Sequence, residues 1–359
     1  MTCIRPAKKL SSPTRPGNCV VQLKRRDHSV SICNIWSRRK KLYSLLAGSF
    51  LASLAALSKI AIVIVVSALL VRRGVFTDSH IRALTAVVVN LALPCLIFGS
   101  IIQDFDVATY PDWWKYPLVG AALTFGGLGL ARLVFWRDTE HGMTLSALAS
   151  FQNAGYLILP IGEALFPEQF TQFSVILFLM LLSYMPLLWS VAKLMISHTR
   201  GSRLSPGQMF TTPFYSAALA LALVFTGLDR YLPGIALGSV QLVGESCVPL
   251  ATVVLGMTMG ALKVSRLPAA WDTIRVIALK LVLIPALMFL ALKYTGFSTS
   301  PLESAFWILE ASSPPATALA LQAIHYGGDE QLVCGVLLIT YLAALVAIPV
   351  FFSLVEVLL

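Results

Sequence analysis

The sequence predicts an all-α polytopic membrane protein with ten transmembrane helices. Of its 359 residues, 57% are hydrophobic and 12% are charged, whereas a soluble globular domain has about 25% charged residues. Ten apolar runs of roughly 20 residues can each cross a bilayer as a helix, and a membrane barrel would instead need alternating ten-residue strands. The predicted spans are 49–71, 81–102, 114–136, 144–166, 171–195, 212–228, 235–262, 270–292, 302–324 and 332–354.

The net charge belongs to the amino-terminal tail. Residues 1–41 hold eleven Lys or Arg and one Asp, which accounts for the whole net charge of +10. Nucleic acid is therefore not an expected partner of the body. The six cysteines show no CxxC or metal-ligand spacing, so we expect no disulfide framework, no metal site and no cofactor.

The longest polar gap in the body, 196–211, divides the ten spans into five and five. An odd number of spans per half places the halves in opposite orientation, so a duplicated unit would be an inverted repeat. Prolines in corresponding spans support a duplication, because each pair is separated by 155 residues: Pro94 with Pro249, and Pro160 with Pro315. We predict a basic tail (1–41), a first five-helix repeat (42–195), a linker (196–211) and a second five-helix repeat (212–359).

Loop charge predicts the orientation in the membrane. Eleven basic residues lie on the side of the loops that follow spans 1, 3, 5 and 7, and three lie on the opposite side. The positive side faces the cytoplasm, so both ends of the ten-helix body are predicted outside the cytoplasmic membrane. The basic tail contradicts this orientation. Three interpretations stay open: a mis-set start of the sequence, a targeting segment, or separate insertion of 42–58.

Two predicted spans carry polar residues beside prolines near their middles. Proline removes a backbone donor and disrupts a helix, and non-helical backbone inside a bilayer is tolerated where it is buried in protein or lines a cavity. We therefore expect the two breaks to face each other. The alternative is a pair of kinked helices whose polar groups satisfy each other. The candidate binding residues are Gln152, Asn153, Tyr156 and Pro160 in the fourth span, and Ser313, Pro314, Pro315 and Thr317 in the ninth.

A half-helix that begins at such a break offers unpaired N–H groups and the positive end of its dipole. Two such ends that converge predict an anion site without a buried Lys or Arg. Glu310, about one turn before Pro314, is the candidate for proton coupling, since ionisable groups inside spans are costly and often functional. Its alternative role is pairing with a cation such as Lys280. Four other ionisable residues are expected nearer span ends, where they can reach the interface: Lys59, Glu163, Glu245 and Lys280.

Six short strings occur in order over roughly residues 50–357. They are Asn90–Pro94, Asn153–Tyr156 with Leu159–Pro160, Val248–Leu250 with Gly256, Ala311–Thr317, Tyr326–Asp329, and Ile348 with Pro349. Together they resemble the auxin efflux carrier family of permeases. Residues 196–211 are far shorter than the hydrophilic loop of the plant auxin carriers, so the chain is similar to a compact bacterial-type member.

The resemblance implies two inverted five-helix repeats in which the fourth and ninth helices are broken and cross. It also implies a scaffold of spans 1, 2, 6 and 7 and a moving unit of spans 3–5 and 8–10 that works like an elevator. Members carry organic anions, either auxin or malate- and malonate-type carboxylates. Many relatives have an Asn shortly after the prolines of the ninth span, where this chain has Ala318 and Leu319. By resemblance, the site falls on Asn153, Pro160, Pro314 and Pro315, with helix-break or scaffold positions at Asn90, Pro94 and Pro249.

The sequence therefore predicts a secondary active transporter that moves a small organic anion across the lipid bilayer by elevator-type alternating access. No HExxH, GxSxG or Walker motif indicates an enzyme. The first alternative is a non-transporting membrane sensor that binds its ligand at the same crossing, and an intramembrane hydrolase ranks third. A homodimer is left open as the oligomeric state.

Overall fold

A computed structural model describes residues 32–197 and 206–358. The chain divides into two units, Met1–Gly48 and Ser49–Leu359, and the described part of the first unit is helical from Ile32 onward. Residues 1–31 of the predicted tail and residues 198–205 of the predicted linker lie outside the described part. In the rest of that linker, Pro206–Met209 form a single helical turn.

The regular secondary structure of the described residues is helical, which confirms the all-α class. Seven helices in this part of the chain are long and apolar enough to cross a membrane. They are α1 (Ile32–Arg72, of which Lys41–Arg72 is the membrane-capable part), α2 (Asp78–Asp104), α3 (Lys115–Phe135), α6 (Pro167–Ile196), α8 (Gly234–Ala261), α9 (Ala270–Thr295) and α12 (Glu330–Leu358).

The other three apolar runs fold into shorter helices. The sixth run forms α7 (Thr212–Thr226), which has 15 residues. The fourth run divides into α4 (Gly142–Ser150) and α5 (Ala154–Leu165), and the ninth divides into α10 (Pro301–Ser312) and α11 (Ala318–Tyr326). The helices therefore follow the predicted apolar runs, whereas the count of ten membrane crossings stays a prediction.

Two prolines inside the long helices adjoin a wide turn or a local interruption. In α2, a wide turn at Val88–Ala92 precedes Pro94, and the helix continues to Asp104. Proline has no N–H for a helical hydrogen bond, and the wide turn adjusts the backbone to its absence. Ser216 Oγ donates a hydrogen bond to the carbonyl of Pro94 at 2.6 Å. Pro249 follows a local interruption at Ser246 of α8 and lies in the first turn beyond it, where proline is tolerated. Of the predicted helix-break positions, Asn90 and Pro94 thus lie in a continuous helix.

The helices pack as two groups that meet along α2 and α8. In one group, α2 contacts α7 and α8, and α8 approaches α1 closely at two glycines. A Cβ at Gly256 would lie 2.8 Å from the Cα of Ile64, and one at Gly260 would lie 2.7 Å from the Cα of Ala68. In the other group, α3 contacts α4 and α6, while α10 contacts α9 and α12. Contacts of α2 with α6 and of α8 with α5 join the two groups.

Candidate functional site

The breaks in the fourth and ninth apolar runs lie against each other and are joined by backbone hydrogen bonds. Gln152 and Pro315 form an isolated antiparallel bridge. On either side of it, the N–H of Asn153 donates to the carbonyl of Pro314 at 2.9 Å, and the N–H of Ala316 donates to the carbonyl of Phe151 at 3.0 Å. The expected juxtaposition of the two breaks is therefore present, and each break supplies hydrogen-bonding partners for the backbone of the other.

Side chains of the two breaks and of two helices, α6 and α12, reinforce the crossing. The N–H of Asn153 also donates to Ser313 Oγ at 3.1 Å, and the Asn153 side-chain amide donates to the hydroxyl of Tyr341 on α12. The hydroxyl of Tyr184, which is buried on α6, donates to the carbonyl of Gln152. Tyrosines of α6 and α12 thus fix the first break from two directions.

A cavity of about 90 Å³ adjoins the crossing. Its wall combines the starts of α5 and α11 with residues of α2, α6 and α8, and none of the described residues that line it is charged. The lining residues are Val88, Val89, Leu93, Gln152, Asn153, Ala154, Gly155, Tyr156, Leu159, Tyr184, Met185, Leu188, Trp189, Thr211, Pro213, Cys247, Ala251, Ala316, Thr317 and Ala318.

The structure brings four of the predicted binding residues to this cavity, namely Gln152, Asn153, Tyr156 and Thr317. Three others, Ser313, Pro314 and Pro315, build the crossing itself. Pro160 is buried within α5 and is not among the residues that line the cavity.

The helix-break or scaffold positions Asn90, Pro94 and Pro249 are not among the residues that line the cavity, although neighbours of each do line it. Asn90 is exposed; its side-chain amide donates to the carbonyl of Ala86 at 3.0 Å and its oxygen accepts a hydrogen bond from Thr212 Oγ1 at 2.9 Å. Pro249 is exposed on α8. Several residues of the cavity or the crossing have no distinguishing pattern in the sequence, because they lie in uniformly apolar runs: Tyr184, Met185, Trp189, Cys247 and Tyr341.

Gln152 and Thr211 line the cavity with polar side-chain atoms that have no hydrogen-bond partner among the described residues. Gln152 is 0% exposed, and neither its Nε2 nor its Oε1 has such a partner.

The side chains of Asn153 and Thr317 do not cap the helices that they precede. At the start of α11, the N–H groups of Leu319 and Ala320 donate to the carbonyls of Ala316 and Thr317, and the positive end of the helix dipole remains. An amide side chain and two positive helix ends therefore adjoin one cavity that is otherwise mainly apolar. Such an arrangement favours an anion.

Glu310 and Lys280 are buried beside the crossing. Both side chains are 0% exposed, and the carbonyl of Glu310 accepts a hydrogen bond from the N–H of Ser313 at 3.3 Å. The expectation that Lys280 reaches a span end is wrong. Lys280 lies in the middle of α9, in the wide turn Ala278–Leu283, and faces the protein interior. The sequence distance to the span end did not reveal on which face of the helix it lies.

Comparison with known proteins gives a consistent result. The family described as membrane transport proteins matches residues 52–209 and 205–352. A relative from Methanothermobacter thermautotrophicus, named "Uncharacterized transporter", is 25% identical over 308 residues, which are 84% of this chain and 97% of the relative. A Rhizobium meliloti protein named "Putative malonate transporter" is 25% identical over 281 residues, which are 74% of this chain and 84% of the relative.

These matches cover most of the chain and agree with an all-helical protein that has several membrane-capable helices. The family is one of transporters and not of enzymes, and a multi-pass membrane location follows from both observations. The chain belongs to the family of membrane transport proteins that includes the auxin efflux carriers.

Proposed function

We propose that this protein is a secondary active transporter that holds a small organic anion at the crossing of its two broken helices. The observation that carries the proposal is the cavity at the crossing, which joins the unpartnered Gln152 amide to the amino ends of α5 and α11. Helix amino ends and neutral donors stabilise a carboxylate without a buried cation. The mainly apolar remainder of the wall suits the carbon body of such a substrate.

We also propose ten membrane crossings arranged as two inverted five-helix repeats. In this arrangement α4 with α5 forms the fourth crossing, and α10 with α11 forms the ninth. The two short pairs then occupy equivalent positions in opposite halves, as the constant proline offset predicts. The predicted boundary between the repeats lies at 196–211, and the predicted orientation places both ends of the body outside.

Two cavities along one interface support an elevator-type movement. The first is the cavity at the crossing, and the second, of about 290 Å³, is lined by residues of α2, α5, α6 and α8 that include Glu163 and Glu245. The carboxylates of the second cavity oppose an anion, so we assign the holding site to the first. Movement of α5 and α6 along α2 and α8 would carry the crossing from one cavity toward the other.

Reconstitution of the full chain in liposomes tests the proposal. Labelled malonate, suggested by the name of the Rhizobium relative, and labelled pyruvate are suitable first probes. We expect Gln152→Ala to reduce uptake about ten- to hundredfold, because a hydrogen bond to a charged group contributes about 1.5–3 kcal/mol. Asn153→Ala is expected to abolish uptake while the protein still reaches the membrane.

Gln331→Ala is the matched control, because Gln331 bonds to Ser265 and Lys263 outside the cavity. Its uptake should equal that of the unmodified protein. Normal uptake by both Gln152→Ala and Asn153→Ala would contradict the site, and uptake no faster than in empty liposomes would contradict carboxylate transport. Binding of a carboxylate without uptake would instead favour a sensor.

A further inference from the structure

An acidic and a basic side chain are buried on packed helices beside the second break. Glu310 lies in the last turn of α10, and Lys280 lies in the wide turn of α9. The wide turn of α9 packs against α10, which brings the two groups near enough to interact electrostatically, although they form no direct salt bridge. In the described part of the chain, neither the Lys280 Nζ nor either carboxylate oxygen of Glu310 has a hydrogen-bond partner. This pair differs from an ordinary structural ion pair, in which hydrogen bonds compensate the loss of water.

The surroundings of Glu310 contain no second ionic partner within the described residues. Helix α10 packs against α5, α6, α9 and α12. From α6, the hydroxyl of Tyr184 interacts with Glu310 and with Tyr341 of α12. Both hydroxyls already hydrogen-bond at the first break. From α5, Tyr156 interacts with Cys247. Lys280 of α9 is therefore the charged side chain that faces Glu310.

The charge of this buried region changes in a simple way with one proton. With Glu310 ionised and Lys280 charged, the net charge of the pair is zero. Protonation of the Glu310 carboxylate leaves the ammonium of Lys280 uncompensated and makes the region positive. An anion at the nearby crossing offsets that positive charge. For a substrate with one negative charge, two states are then neutral: the empty site without the proton, and the loaded site with it. Neutrality matters because a net charge is costly to move through hydrocarbon.

We propose that Glu310 and Lys280 form the proton-coupling site of the transporter. Glu310 takes up one proton from water when a carboxylate binds at the crossing and returns it to water when the carboxylate leaves. Lys280 supplies the fixed positive charge, and the only bond made and broken is the carboxyl O–H bond. This inference rests on the proposed function, because it assigns the coupling ion of that same transport cycle.

Infrared difference spectroscopy of the full chain in lipid nanodiscs tests the pair without a transport assay. On acidification, we expect the unmodified protein to gain a protonated-carboxyl band that Glu310→Gln lacks. Glu303→Gln is the matched control on the same helix, because Glu303 is already paired with Lys115 at 3.0 Å and accepts a hydrogen bond from the N–H of Thr299 at 2.8 Å. It should keep the band. A spectrum of Glu310→Gln identical to that of the unmodified protein would overturn the proposal.

Transport by the same variants in liposomes tests the coupling. In Glu310→Gln the empty carrier keeps the uncompensated charge of Lys280, whereas the loaded carrier is neutral. We therefore expect exchange of labelled for unlabelled pyruvate to persist, while net uptake driven by a pH gradient falls about one hundredfold. Glu303→Gln should retain both activities. Equal losses of exchange and net uptake in Glu310→Gln would indicate a structural role and overturn the proposal.

The double variant Glu310→Gln with Lys280→Gln removes both charges together and keeps similar side-chain volumes. We expect its uptake to respond to membrane voltage and no longer to a pH gradient. Uptake by the double variant that still follows the pH gradient would overturn the proposal. Absence of carboxylate transport by the unmodified protein would overturn both proposals, whereas transport without the infrared band would overturn this one alone.

Discussion

The two broken helices reach the same crossing by different means. The break between α10 and α11 spans 313–317 and contains two consecutive prolines. The break between α4 and α5 spans 151–153 and contains no proline, since Pro160 follows inside α5. Consecutive prolines interrupt a helix through their own covalent structure. Phe151, Gln152 and Asn153 all retain their backbone donors, so their covalent structure does not exclude a helix.

The difference indicates which break depends on the other. The backbone of the first break is held by Pro314 and Ala316 of the second break and by Tyr184. Its Asn153 side chain is held by Tyr341. The second break is thus interrupted by its own prolines, while the first is maintained by tertiary contacts. We call the second break the template, because its backbone supplies hydrogen-bond partners that hold the first break open. The unpartnered Gln152 side chain lies on the maintained break, so disturbance of the template should change the proposed binding site.

Ala316→Pro is expected to have the largest effect on this comparison. It removes the N–H that donates to the carbonyl of Phe151 and leaves that carbonyl without its partner in a buried region. We expect a loss of about 3 kcal/mol in the free energy of unfolding, together with loss of uptake. Thermal unfolding in detergent and liposome uptake measure the two effects. Ala316→Gly retains the N–H and serves as the control, and equal stability of the two variants would contradict the template interpretation.

Tyr341→Phe should have an intermediate effect. It removes the hydroxyl that accepts the side-chain hydrogen bond of Asn153 and leaves the backbone bridge intact. We expect a stability loss of about 1 kcal/mol and uptake lowered about fivefold, because the maintained break loses one of its supports. Tyr294 is 75% exposed, so Tyr294→Phe provides the matched control. A stability loss of the same size in both variants would remove Tyr341 from this role.

Pro160→Ala should have the smallest effect. The wide turn Ala154–Ile158 precedes Pro160. Its backbone is already adjusted to a proline that has no N–H to donate. We expect a change in the free energy of unfolding below about 1 kcal/mol and nearly unchanged uptake. The stability and uptake of this variant, measured beside those of Asn153→Ala, separate the two positions. If Pro160→Ala lost uptake as completely as Asn153→Ala, the proline itself would be required for the break.

The sequence predicted those features that depend on composition or covalent structure. Apolar length located the helices, and Pro314 with Pro315 located the second break. The position of the first break within 151–160 was less well defined, because Asn153, Gly155 and Pro160 each allow an interruption and tertiary hydrogen bonds select Phe151–Asn153. Tyr184 and Tyr341 gave no signal because an apolar run does not reveal which side chains face inward. For the same reason, Lys280 was assigned to a span end although it is buried.

The backbone bridge between Gln152 and Pro315 has a consequence for how the chain is made. Ribosomes complete the segment around Gln152 more than one hundred and sixty residues before Pro315 emerges. Until then, the carbonyl of Phe151 lacks its donor and the N–H of Asn153 lacks its backbone acceptor, and hydrocarbon offers no substitute for either. The nascent α4–α5 region must therefore either form a continuous helix at first or stay in contact with the insertion machinery, outside the hydrocarbon. Final maturation of the carrier is therefore a late, long-range event.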